Sequence, residues 1–147
     1  MNKPNQVVPS FVSVYLVADQ IVGAFSPVLF NIVNTDGTDS NIYDSLTGQF
    51  TAPISGWYDL DGQILSAAPL TGIRIIKNGD TSFPIMSRVP TIADVNMRIR
   101  VQLGTGETVS FEGEGGTILA NAGTVPDAKA SNALFTLVKR FDDTKTF

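Results

Sequence analysis

Three pairs of carboxylates are the residues in this chain best placed to do chemistry. Asp36 and Asp39 flank Gly37, Asp59 and Asp61 stand two apart before Gly62, and Glu112 and Glu114 repeat that spacing. Asp59-Leu60-Asp61-Gly62 opens like a calcium loop. It lacks the third ligand position and the Glu that closes such a loop, and it falls where a strand is expected. On a strand, Asp59 and Asp61 share one face, as do Glu112 and Glu114. Paired carboxylates can hydrolyse glycosides, but only in a cleft that raises one of their pKa values. Solvent exposure, or pairing with arginine, is the simpler reading of both. Gly104-x-Gly106 and Gly113-x-Gly115-Gly116 are not followed by Lys-Ser or by a helix, so they are not phosphate loops. Trp57 and Tyr15 offer ring faces for a sugar, although Trp at the start of a strand also suits a core or an interface.

Composition removes most other chemistry. The 147 residues include no His and no Cys, which excludes Ser-His-Asp catalysis, thiolate metal sites and disulfides. Net charge is −4, and the ten basic residues are scattered. That leaves no footprint for nucleic acid or an anionic membrane. Charged residues are 16% and hydrophobic residues 43%, so some apolar surface is expected to be covered by a partner or to enlarge the core. Met1–Gln6 does not read as a signal peptide, and no apolar run reaches the length of a membrane span.

The elements that position these residues are short strands. Phe11–Val17 is apolar on both faces, with Phe11, Tyr15 and Val17 on one and Val12, Val14 and Leu16 on the other. Helical spacing also fits residues 11–22, but the Val, Tyr and Phe content favours strand. Strands are expected at 28–33, 41–43, 49–52, 57–65, 73–77, 95–103, 107–114 and 133–138. Tyr58, Leu60 and Ile64 alternate with Asp59, Asp61 and Gln63. Val95, Met97, Ile99, Val101 and Leu103 alternate with Asn96, Arg98, Arg100 and Gln102. Gly104-Thr105-Gly106 suggests a hairpin, with Arg98 and Arg100 facing Glu112 or Glu114. Residues 34–39 and 113–130 read as loops, 1–10 as an N-terminal arm and 142–147 as a C-terminal tail. The whole implies one domain over 11–141, an all-β sandwich of about ten antiparallel strands.

One order of residues is more specific. Tyr43-Asp44, Thr47-Gly48, Phe50-Thr51, Pro53, Gly56 and Tyr58 resemble the signature of the C1q/TNF-like jelly roll. Pro27-Val28-Leu29-Phe30-Asn31 resembles the strand before that signature. Ile76-Lys77-Asn78-Gly79 resembles the family's strand-ending turn. Leu103, Gly106-Glu107 and Val109 resemble its Leu-x-x-Gly-acidic-x-Val element. Residues 132–138 stand in the place of its closing strand, with Thr136 where a Gly is usual. The resemblance spans residues 11–138. It implies a ten-stranded jelly roll in a tight homotrimer whose inner sheet, with the first and last strands, lines the three-fold axis. It supplies no calcium ligands for this sequence.

The strands that are apolar on both faces need cover on both faces, and a two-sheet monomer covers one. We therefore expect a trimer, with Val12, Val14, Leu16, Tyr58, Phe135 and Leu137 as interface candidates. No catalytic residue, metal, cofactor, nucleic acid or membrane partner is expected, and the ligand-binding residues are unknown. The leading expectation is a non-enzymatic virion structural or adhesion protein: a bacteriophage capsid decoration, head-fibre or host-binding module. Residues 1–10 would anchor it to a capsid or tail protein, and a host-surface glycan or protein would be its target. The alternative is a free extracellular or bacterial-surface module, lectin-like or receptor-binding.

Overall fold

The computed structural model describes residues 11–34, 42–120 and 131–140. The expected arm and tail, and the loop carrying Asp36 and Asp39, lie outside these residues. The described residues form thirteen strands in chain order: β1 Phe11–Tyr15, β2 Gln20–Val22, β3 Ser26–Pro27, β4 Ile32–Asn34, β5 Tyr43–Asp44, β6 Gln49–Thr51, β7 Gly56–Leu65, β8 Gly72–Lys77, β9 Met86–Arg88, β10 Asp94–Leu103, β11 Thr108–Glu114, β12 Gly116–Ile118 and β13 Asn132–Arg140. The excess over ten comes from pieces of two or three residues, such as β2, β3 and β12. Among the described residues no helix is long and apolar enough to cross a membrane.

The strands form an antiparallel sandwich. One sheet runs β10-β7-β13-β1-β4, and the other runs β5-β6-β11-β8-β9 with β3 also on β11. Period-two alternation decides which residues meet between them. From the five-stranded sheet come Val12, Val14, Tyr58, Leu60, Ile64, Val95, Met97, Ala133 and Phe135, all buried. From the other come Phe50, Ile73, Ile75, Val109 and Phe111. An aromatic chain crosses this core. Tyr58 stacks on Phe135 at 4.8 Å, Phe135 meets Phe50 at 5.3 Å, and Phe50 meets Tyr43 at 4.6 Å.

Two expectations need correcting. The 28–33 segment is not one strand: β3 pairs with β11 and β4 pairs with β1, so the chain changes sheets between them. Val28 and Phe30 reach the core from that crossing, which is why they read as strand residues. Nor do β10 and β11 form a hairpin. β10 pairs with β7, while β11 pairs with β8, β6 and β3 in the facing sheet. The Gly104–Gly106 turn carries the chain across the sandwich, where the Ala52 carbonyl accepts the Gly106 N–H at 2.8 Å.

The sandwich has two ends. Phe11, Gly56, Leu103 and Arg140 lie at the entry end, where the chain joins and leaves the described fold. Tyr15, Leu65, Asp94 and Asn132 lie at the opposite end. There β2 and β12 form a ribbon, with Gln20 opposite Ile118.

Candidate functional site

The carboxylates resolve into ion pairs. Asp59 and Asp61 point outward from β7, opposite Arg100 and Arg98 on β10. Arg100 grips Asp59 with two hydrogen bonds, Nε to Oδ1 at 2.8 Å and Nη2 to Oδ2 at 3.1 Å. Arg98 stands farther off, 3.8 Å from Asp59 and 4.0 Å from Asp61. The Arg100 hydrogen bond holds the Asp59 carboxyl below its ordinary value, with the charges of Arg100 and Arg98 adding to it against a desolvation that acts the other way. A general acid needs the opposite shift. Glu112 and Glu114 do not meet Arg98 or Arg100, which belong to the other sheet. Arg74 binds Glu112 at 2.7 Å and lies over the Phe25 ring at 3.9 Å, while Thr71 donates to Glu114 at 3.2 Å. Among the described residues no three His, Cys, Asp or Glu side chains gather as a metal site.

The expected interface residues face the wrong way for that role. Val12, Val14, Leu16, Tyr58, Phe135 and Leu137 are all buried inside the sandwich, covered by the facing sheet of their own chain. The face left for a neighbour carries the alternate residues. Strand register arranges it in rows: Tyr15, Asn132, Gln63 and Asn96; then Ser13, Leu134, Asp61 and Arg98; then Thr136, Asp59 and Arg100. Beyond these, Trp57 sits between Lys139 and Gln102, and a bulge after Leu137 adds Val138, which is exposed like Trp57. The β1–β13 half of this face is therefore mostly uncharged, with Tyr15, Leu134 and Val138, and the β7–β10 half is charged. Tyr15 lies in the row of Gln63, six residues along β7 from Trp57, a separation of roughly 20 Å. The two rings do not share one sugar platform.

A second apolar surface has no counterpart among the sequence expectations. Phe83 and Ile85 are exposed just before β9, the edge strand of the other sheet. Their signal in the sequence is a lack of alternation beside Pro84, which hides any face. Arg88 on β9 donates to the Asn96 carbonyl of β10 at 3.0 Å, so the two sheet edges meet along one flank.

No protein-family model matches the chain, and no curated protein matches it. Solved structures do. The globular domain of zebrafish complement 1qA protein superposes with a TM-score of 0.63 at 21% identity, covering 90% of this chain and 99% of that one. Eiger TNF from S. frugiperda gives 0.60 at 11% identity, with 88% and 92% covered. Murine APRIL gives 0.58 at 12% identity, with 89% and 100% covered. The fold is the C1q/TNF-like jelly roll.

In this jelly roll the signature residues build corners. Asp44 starts the β5–β6 turn: its Oδ1 accepts the Leu46 N–H at 2.8 Å and its carbonyl accepts Gly48 N–H at 2.8 Å, with Gly48 at φ 75°. The Tyr58 hydroxyl donates to the Ile54 carbonyl at 2.6 Å, tying the Pro53–Gly56 corner to the core. Asn78 and Gly79 both take positive φ, 56° and 70°, as a type I′ turn requires. Asn78 then binds Glu107 at 2.9 Å, and Glu107 accepts the Gly104 N–H at 2.7 Å. Those bonds, the Gly104 one foremost, hold the Glu107 carboxyl below its ordinary value. The Asn78–Gly79 turn and the Gly104–Glu107 turn thus lock together at the entry end.

Proposed function

We propose that this chain is a non-enzymatic module that assembles as a ring of three and serves as a virion structural or adhesion protein. A phage capsid decoration, head-fibre or host-binding protein is the concrete form. The observation that carries the ring is a pair of different apolar surfaces. One is the outward face around Tyr15, Leu134 and Val138, and the other is the flank at Phe83 and Ile85. They lie on different sheets, so one chain cannot close them on each other. Contact between unlike patches is heterologous, and such contacts generate rings when the rotation closes. The jelly-roll resemblance makes three the expected number. The virion placement rests on the cysteine-free sequence, which needs no oxidising compartment.

Light scattering after size exclusion tests the ring: three times 15.7 kDa is expected. Leu134→Asp should give a folded monomer, because a charge buried without a partner is costly. A wild-type monomer would end the ring reading. The alternative, a free lectin-like module, finds support in the exposed Trp57. Finding the protein as a component of purified virus particles would favour the virion reading, and glycan binding by the purified ring with no such particle would favour the alternative.

A further inference from the structure

The turn that closes β8 at the entry end carries a reactive pair of residues. Asn78 is the one asparagine of this sequence that a glycine follows. The backbone nitrogen of a glycine is poorly shielded, because no Cβ stands beside it. Open space surrounds the Cβ position of Gly79, and Asn78 and Gly79 are both exposed. The turn is otherwise tightly made. Asp80 N–H donates to the Lys77 carbonyl at 3.0 Å, and Asn78 N–H donates to the Thr108 carbonyl at 2.8 Å. The Asn78 carboxamide is held at both of its polar atoms. Its Oδ1 accepts the Thr108 N–H at 2.9 Å, and its Nδ2 donates to Glu107 Oε2 at 2.9 Å. The other Glu107 oxygen is itself fixed, by Gly104 N–H at 2.7 Å and by Lys77 Nζ at 3.6 Å. Glu107 therefore clamps the carboxamide away from Gly79.

We propose that Asn78 is a latent modification site, where the chain converts its own asparagine to aspartate and isoaspartate once the Glu107 clamp opens. Water and its hydroxide are the only co-reactants. Hydroxide takes the proton of the Gly79 amide, and that nitrogen attacks Asn78 Cγ. A C–N bond forms there, the bond from Cγ to Nδ2 breaks, and Nδ2 takes a proton from water and leaves as ammonia. The cyclic imide that remains is opened by water. Opening at Cγ gives aspartate, and opening at the Asn78 backbone carbonyl gives isoaspartate, which adds a methylene to the main chain. For Cγ to reach the Gly79 nitrogen, the carboxamide must swing off both Thr108 and Glu107. The reaction is therefore slow while the clamp holds. Glu107 is ionised wherever hydroxide is available, since the Gly104 hydrogen bond above all holds its carboxyl below the ordinary value. Either product exchanges the carboxamide for a carboxylate beside Glu107, where like charges repel. The link between the two turns is then lost, and the loss is irreversible. The site is a one-way switch on the entry end, and it stands whether or not three chains form a ring.

Peptide mapping by mass spectrometry tests this on the full chain after incubation in mildly alkaline buffer, with the other asparagines as internal references. Asn78 should convert slowly in the folded wild type and fast in guanidinium chloride. Glu107→Ala should speed conversion in the folded chain about tenfold, the factor that one charge-assisted hydrogen bond represents. Glu107→Gln keeps an acceptor for Nδ2 and should fall between. Gly62→Ala weakens the fold in the middle of β7, away from this turn, and should leave the folded rate near that of the wild type. Asn78→Asp reproduces one product. It should unfold at lower urea than the wild type, and adding Glu107→Gln should recover part of the loss. A folded wild type that converts as fast as the unfolded chain would overturn the inference, and so would a Glu107→Ala chain as slow as the wild type. Equal acceleration by Gly62→Ala and Glu107→Ala would show that unfolding, not the clamp, sets the rate. An Asn78 that stays intact even in guanidinium chloride would remove the site altogether.

Discussion

Leu134 and Phe135 are neighbours on β13, yet they belong to different environments. Phe135 is sealed between the sheets, stacked on Tyr58 with ring planes 5° apart. Leu134 points out of the sandwich, opposite Ser13 and Asp61. The inner face of the five-stranded sheet is continuous hydrocarbon and aromatic ring. The outer face is half apolar and half ion-paired. A face made for a core needs no charges, while a face that must stay soluble before it meets a partner does. The comparison teaches that two-sided apolarity leaves apolar residues the core does not use, and that the charged half marks which side of the sheet points outward.

The largest effect should come from the inner face. Phe135→Ala should cost about 3–5 kcal/mol, the usual range for deleting a buried aromatic ring. Urea unfolding in the Leu134→Asp background would measure this without the ring. A cost below about 1 kcal/mol would mean that the two faces are not distinct after all.

A smaller contrast runs along β7. Gly62 lies under the Phe111 ring of the facing sheet, closer than any side chain allows. Gly62→Ala should therefore cost about 1–3 kcal/mol as the ring is displaced. Gln63→Ala, one residue on and facing outward, should stay within about 0.5 kcal/mol. Equal costs at the two positions would contradict the assignment of faces.

Much of this fold is legible in the order of its residues. The alternation in β7 and β10 places Tyr58, Leu60, Met97 and their partners correctly, because a half-buried strand writes its period into the chain. The turns at Asp44–Gly48 and Asn78-Gly79 are legible because few residues accept their backbone angles. The face of β1 that meets the core is not. Val12 and Tyr15 are both apolar, and nothing local says which lies beneath the other sheet. Residues 28–33 mislead for a related reason: a segment that changes sheets buries Val28 and Phe30 as a strand would. The expected β10–β11 hairpin fails because a Gly-rich turn looks the same whether it closes a hairpin or crosses a sandwich. Phe83 and Ile85 carry no periodicity to read.

The smallest effect tests whether the outer face is covered. Asp59 has a folded pKa below its ordinary 3.8, chiefly through the hydrogen bond from Arg100. A depressed carboxyl stabilises the fold above pH 3.8, and that contribution disappears as pH falls through the folded value. On an exposed face an ion pair of this kind is worth less than about 1 kcal/mol. In the Leu134→Asp monomer, the stability difference between chains with Asp59 and with Asp59→Asn should therefore be slight and should vanish in acid. Inside a ring the same pair would be removed from water, and losing one partner there costs about 3–5 kcal/mol. The Asp59→Asn difference, followed by urea unfolding through the acid range at fixed protein concentration, should then be several-fold larger in the ring-forming chain. Equal differences in the two backgrounds would show that no neighbour covers Asp59 and would place the ring contact elsewhere.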